Sequence, residues 1–276
     1  MRIAKSAFIL VVATTCTLAL RAENKPKLTL DEFFNSVSFP ALELSPDGKS
    51  VVIEAERADW DQNVFRKDLW LYHEDGQKSS LIQLTQSGHD SEPKWSPDGR
   101  WIAFLSERTS ASDKSEDSDS DSDSDSKGEP AQVYLISPTG GEAFPVTEGE
   151  EEVHTFSWSA DSQTIYFATR QPWSKKQKDD YKNEWKDVMQ YRTAERGDTI
   201  FALDLSAALA RHAAAPADVK KKDKDSQKEP DLTPGARAIA TIPLRVDDMV
   251  TSPDGASLAY VSNAINQRQE RYEDVE

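Results

Sequence analysis

Apolar residues recur two positions apart at four matched places along this chain. Val51 and Ile53, Ile102 and Phe104, Ile165 and Phe167, and Leu258 and Tyr260 have the period of a β-strand. The residues between them, Val52, Ala103, Tyr166 and Ala259, are uncharged, which predicts that the second face of each strand is covered too. Each pair follows a version of one polar motif: Leu44-Ser45-Pro46-Asp47-Gly48, Trp95-Ser96-Pro97-Asp98-Gly99, Trp158-Ser159-Ala160-Asp161-Ser162 and Thr251-Ser252-Pro253-Asp254-Gly255. In the three intact copies proline sits where a type I turn wants φ near about −65°, and glycine takes the position that often needs positive φ. The motif predicts a tight hairpin.

Further strands are predicted at Asp68–Tyr72 and Leu81–Thr85, separated by a turn at Glu74-Asp75-Gly76. The same parts recur after the second motif as Val133–Ile136, a Pro138-Thr139-Gly140-Gly141 turn and Phe144–Thr147. Successive motifs are 51, 63 and 93 positions apart, and a unit of four short strands needs about 40 to 45 residues. The excess falls in segments of unlike composition. Residues 109–130 include the Ser-Asp alternation Asp117–Ser126, which has too little apolar area to order itself. Residues 171–197 are charged, with aromatics at Trp173, Tyr181, Trp185 and Tyr191. The spacing of Tyr181, Trp185, Val188 and Met189 predicts an amphipathic helical stretch there. After a strand at Thr199–Leu203, residues 206–234 turn Ala-rich and then Lys/Asp-rich, the composition of a solvated excursion. Neither insertion is expected to add much to the core of the repeats.

These units predict an all-β fold: a β-propeller of four-stranded blades, about three complete blades plus part of a fourth, in an incomplete ring. A β-sandwich with several such hairpins is the competing architecture, and four motifs in register with the same flanking strands favour the propeller. The fourth unit opens at Thr251 and shows no outer strands before Glu276, so the chain is expected to be a fragment of a longer protein.

A lead-in segment, residues 23–40, precedes the repeats, which occupy 41–276. Within it the segment Leu28–Phe34 offers Thr29 or Asp31 as the cap of a short helix. Residues 1–22 have basic Arg2 and Lys5, an apolar run from Ala7 to Leu20 and small residues near Ala22. This is the order of a secretory signal peptide and is too short for a membrane span. The expectation is an exported protein, periplasmic or secreted, with no membrane span in the mature chain. Cys16 is the only cysteine and lies in that signal, so the mature chain has no thiol chemistry. The net charge of −16 over 276 residues disfavours a nucleic-acid partner, because phosphate binding needs clustered cations.

The repeated Trp-Ser-Pro-Asp-Gly-Arg-Trp-Ile-Ala-Phe pattern resembles the propeller repeats of TolB-like proteins and of the prolyl oligopeptidase family of serine peptidases, which includes dipeptidyl and acylaminoacyl peptidases. The resemblance runs from about Leu28 to the end of the chain. The segment Trp185–Arg192, leading into Glu195-Arg196-Gly197-Asp198, is similar to a connection in exported bacterial members of the peptidase group. The family implies an α/β-hydrolase domain after the propeller, with its serine on a Gly-x-Ser-x-Gly elbow. Gly255-Ala256-Ser257-Leu258-Ala259 lacks the second glycine and belongs to a repeat strand, so the expectation for this chain is no catalytic triad.

The remaining chemistry-bearing residues point to no site. His73, His89, His154 and His212 lack the spacing of a zinc site and read as surface or turn residues. The aspartate of each motif holds its own turn through backbone amides, which explains its recurrence without a metal. The Ser-Asp tract lacks the glycine and terminal glutamate of a fixed calcium loop. Trp95, Trp101 and Trp158 read as filling between blades, while Trp173, Trp185 and Tyr191 lie on an insertion that could meet substrate or a neighbouring domain. No catalytic, cofactor-binding or metal-ligating residue is assigned, and no cofactor is expected. What the resemblance implies is a propeller that gates short peptides toward a hydrolase domain missing from this chain. The alternative is a periplasmic TolB-like propeller that binds a protein partner.

Overall fold

The computed structural model describes residues 27–74, 76, 78–108, 129–171, 176, 179, 196–214 and 233–263. The predicted signal segment, the Ser-Asp alternation and the stretch around Trp185 lie outside these residues. The chain divides into two units, residues 1–36 and 37–276.

In the first unit helix α1, Leu30–Phe34, begins at Thr29. The Thr29 hydroxyl accepts the Glu32 backbone N–H at 3.2 Å, and the Glu32 carboxylate accepts the Thr29 N–H at 2.9 Å. This reciprocal capping box selects Thr29 over Asp31 as the cap.

The second unit is a succession of antiparallel sheets. The first is β1 (Ser38–Leu44), β2 (Ser50–Asp59), β3 (Val64–Glu74) and β4 (Ser79–Gln83), in that order. The second is β5 (Asp90–Trp95), β6 (Ile102–Ser106), β7 (Gln132–Ile136) and β8 (Phe144–Pro145). The third is β9 (Val153–Trp158), β10 (Thr164–Arg170), β11 (Asp198–Asp204) and β12 (Arg237–Ile242). β13 (Arg245–Thr251) and β14 (Leu258–Asn263) form a two-stranded fourth sheet. These are propeller blades, three complete and one represented by its inner pair, and among the described residues they do not close a ring.

Alternation along the strands builds the core. Ile102 and Phe104 of β6 join Val52, Leu69 and Leu71 of the first blade in one buried cluster. Their neighbours Ala103 and Leu105 join Phe156, Trp158, Ile165 and Phe167 of the third blade in another. A third cluster places Ala168, Ile200 and Ile242 against Val246 and Met249 of the fourth. Each strand thus serves two interfaces. At about 2 kcal/mol per fully buried aliphatic side chain, this packing is the main stabilising term of the array. Where the described residues supply no adjacent blade, apolar side chains are open: Leu42 and Leu44 of the first blade are each 61% exposed, and Tyr260 of the fourth is 45% exposed.

Three features depart from the sequence expectations. Helix α2, Leu205–Ala214, occupies the start of the predicted solvated excursion, and its Leu205 and Ala208 are buried in the core between blades two and three. Its first turn is fixed by Asp204, whose carboxylate accepts the Ala207 N–H at 2.8 Å. Its alanines have high helix propensity, and the apolar face finds a surface to bury. Strand β12 follows the excursion where no strand was predicted. The fourth blade begins at Arg245, six positions ahead of Thr251, because the strand before each motif pairs with the strand after it.

Candidate functional site

The motif turns share one hydrogen-bond design in all four copies. In the first, Ser45 Oγ donates to Asp47 Oδ1 at 2.6 Å, and that oxygen also accepts the Lys49 N–H at 3.1 Å. Ser45 Oγ in turn accepts the Ser50 N–H at 2.9 Å. The same contacts recur at Ser96 and Asp98, Ser159 and Asp161, and Ser252 and Asp254. The serine hydroxyl and neighbouring amide hold the Asp47, Asp161 and Asp254 carboxyls below the usual carboxylate range. The aspartate therefore serves the turn, as the sequence indicates. The serine is its necessary partner, and its presence in every copy was the available signal.

Gly48, Gly99 and Gly255 adopt φ of 73°, 70° and 69°, and Ser162 in the third copy follows them at 61°. A non-glycine residue is strained there. Ser162 Oγ accepts the Asp98 N–H of the preceding blade at 3.0 Å, a contact that glycine could not make.

The tryptophans fill space between blades and also clip them. Trp95 Nε1 donates to the Glu43 carbonyl at 3.1 Å, and Trp158 Nε1 donates to the Lys94 carbonyl at 3.2 Å. Trp101 packs edge-on to Phe144, whose other contact is a stacked His212 at 3.9 Å between ring centres.

Charged residues gather where the inner strands approach one another. Lys94 on β5 donates to the Phe156 carbonyl of β9 at 2.8 Å and lies 3.9 Å from Asp248 on β13. One side chain thus touches two further blades. Glu92, two residues earlier, has φ of 52° in a bulge between Ser91 and Lys94, and its N–H donates to Glu54 Oε2 at 2.9 Å. Glu54 is buried, and Lys67 approaches its other oxygen at 3.5 Å. The Glu92 side chain reaches solvent, yet partial burial of its carboxyl pushes it up, with Lys94 acting in the opposite direction. Carboxylates outnumber cations along this edge, where Glu152, Asp247 and Arg245 also lie.

His154 corrects the expectation of a surface histidine. Its side chain is fully buried, with Nδ1 2.7 Å from Asp198 Oδ2 and Nε2 3.2 Å from Glu152 Oε1. Asp198 Oδ2 also accepts the Val246 N–H at 2.8 Å, so the pair ties blade three to blade four. Burial acts to lower the His154 pKa, but the bonds to Asp198 and Glu152 outweigh it and the net shift is upward. One of its carboxylate partners, Asp198, lies 44 positions away, which spacing alone does not reveal. His89 is exposed and His73 half-buried. The Ser257 N–H donates to Ser252 Oγ, which places that serine inside the fourth turn. Trp173, Trp185 and Tyr191 lie outside the described residues. Among the described residues, no group of three or more His, Cys, Asp or Glu side chains is arranged to hold a metal ion, and no helix is long and apolar enough to cross a membrane.

No family model matches this chain. A curated relative, an uncharacterized peptidase called YuxL from Bacillus subtilis, is 27% identical over 141 residues. Those residues are 51% of this chain and 19% of the relative, so the match spans about a fifth of the relative's length. Among solved structures, the acylaminoacyl peptidase of Pyrococcus horikoshii superposes with a TM-score of 0.43 at 14% identity, over 64% of this chain and 24% of that one. A TolB-like protein of Agrobacterium tumefaciens superposes with a TM-score of 0.42 at 16% identity, over 83% of this chain and 60% of that one. By its own sheets the chain is a run of propeller blades, and about half of it is similar in sequence to part of an uncharacterized peptidase.

Proposed function

We propose that this chain is the non-catalytic propeller portion of an exported serine peptidase of the prolyl oligopeptidase family. It gates the access of short peptides to a hydrolase domain carried outside these residues. The observation that carries the reading is the 27% identity to a peptidase over 141 residues, joined to the repeated blade motif. The inner edge suits the role. Its surplus of carboxylates around Glu92 and Asp248 attracts the ammonium end of a peptide, while pairing with Lys94, Lys67 and Arg245 keeps the strands together. Export is supported by the charge and apolar order of residues 1–22.

Two measurements test the proposal. Extending the coding sequence past Glu276 is expected to give further blades and then a Gly-x-Ser-x-Gly elbow. The full-length product is expected to be labelled by a fluorophosphonate probe. A stop after a few more blades, with no labelling, sinks the peptidase reading and leaves a binding propeller in its place. N-terminal sequencing of the mature protein is expected to begin at Glu23, and retention of Met1 removes export from the proposal.

A further inference from the structure

A cleft of about 500 Å³ opens between the first and second blades, beside the first two motif turns. This is within the size range of small-ligand sites. Leu71 and Ile82 form an apolar wall, and Trp95 lies on the opposite blade. Asp47 and Asp98 line the cleft, whereas Lys49 and Arg100, adjacent to their turns, do not. His73 adds a ring whose Nδ1 is 2.8 Å from Ser50 Oγ. Both blades that form the cleft are complete, and the Trp95 indole is held by its bond to the Glu43 carbonyl, so its walls are preorganised.

The geometry points to this cleft as a binding site for an alkylguanidinium group, the chemistry of an arginine side chain. A guanidinium is planar, stacks on an indole face, and presents paired donors to carboxylates, while its alkyl stem suits the Leu71 and Ile82 wall. An ammonium has the charge but not the flat face. Asp47 is held anionic by the Ser45 hydroxyl and the Lys49 N–H, so its negative charge persists through the neutral range. The site is separate from the inner edge and does not depend on the peptidase reading.

The test titrates butylguanidinium into the purified chain while following ring-proton NMR signals of the four histidines. The His73 signals are expected to shift saturably, and butylurea, the neutral isostere, is expected to leave them unmoved. Asp98→Asn keeps an oxygen for Ser96 and the Arg100 N–H, so the turn persists while affinity falls about tenfold. Ser80→Arg, at an exposed position lining the cleft, is expected to abolish binding by filling it. An unshifted signal from buried His154 reports that each variant is folded. Tighter binding of the tripeptide Ala-Arg-Ala than of butylguanidinium assigns the ligand to a polypeptide arginine, and equal binding assigns it to a free guanidinium compound. Absence of saturation, an equal response to butylurea, or undiminished binding in Ser80→Arg overturns the proposal.

Discussion

Serine is the residue on which each turn depends, because its hydroxyl both donates to the aspartate and accepts a backbone amide five positions on. The third copy puts serine where the others have glycine, and this substitution separates strain from bonding. Ser162→Gly relieves the left-handed backbone but removes the acceptor for the Asp98 N–H, whereas Ser162→Ala keeps the strain and loses the acceptor. Ser162→Ala is therefore expected to be less stable than Ser162→Gly by about 1 kcal/mol in urea denaturation. The turn carboxyls also predict an acid limb. Their folded pKa values lie below the unfolded value of about 3.9. Their contribution is thus present above that value and lost as pH falls through the folded ones. NMR titration of the Asp47, Asp161 and Asp254 carboxyls is expected to place all three midpoints below that of the denatured chain. Unshifted midpoints would mean that the turn bonds do not favour the charged form.

Strand alternation explains why the blades stack, and the exceptions arise where an element is fixed by distant partners. Helix α2 is the clearest case. Its amide at Leu205 donates to the Gln163 carbonyl at 2.8 Å, and Arg211 donates to the Val146 carbonyl at 2.7 Å. These bonds seat an alanine-rich segment on the second and third blades. Truncating Leu205 to Ala is expected to cost about 2–3 kcal/mol by leaving a cavity in that core. A loss below about 0.5 kcal/mol, the range of surface substitutions, would mean that the helix lies on the surface without supporting the core. The outer strands carry a second repeated device. Thr85 and Thr147 are buried, and their hydroxyls accept the Leu69 and Val133 N–H groups at 2.9 and 2.8 Å. This bond completes the third strand where β4 and β8 stop pairing.

Cooperation across the array is limited by its nearest-neighbour construction, in which each blade is stabilised by the one beside it. The fourth blade is held through Met249, Val246 and the bond that the Val246 N–H donates to Asp198, and its far residues Val250 and Val261 are 61% and 59% exposed. Its unfolding is expected to precede that of the central blades, so that fluorescence and circular dichroism give non-coincident transitions. Coincident curves would count against this. The same junction responds to pH. His154 has a raised folded pKa and faces Asp198 on β11, Glu152 just before its own strand and Arg245 on β13. Its stabilisation is complete below the unfolded value of about 6.5 and is lost as pH rises through the folded pKa. The protection factor of the Val246 amide is expected to fall over that window, and His154→Gln is expected to remove the dependence. The blade unit, the turn design and the covered strands were legible in the sequence because period-two patterning and turn chemistry act within a few residues of one another. The seating of α2, the pairing of β12, the tryptophan clips and the burial of His154 were decided only in the tertiary structure. Each depends on groups tens of positions away, brought together by the stacking of one blade on the next.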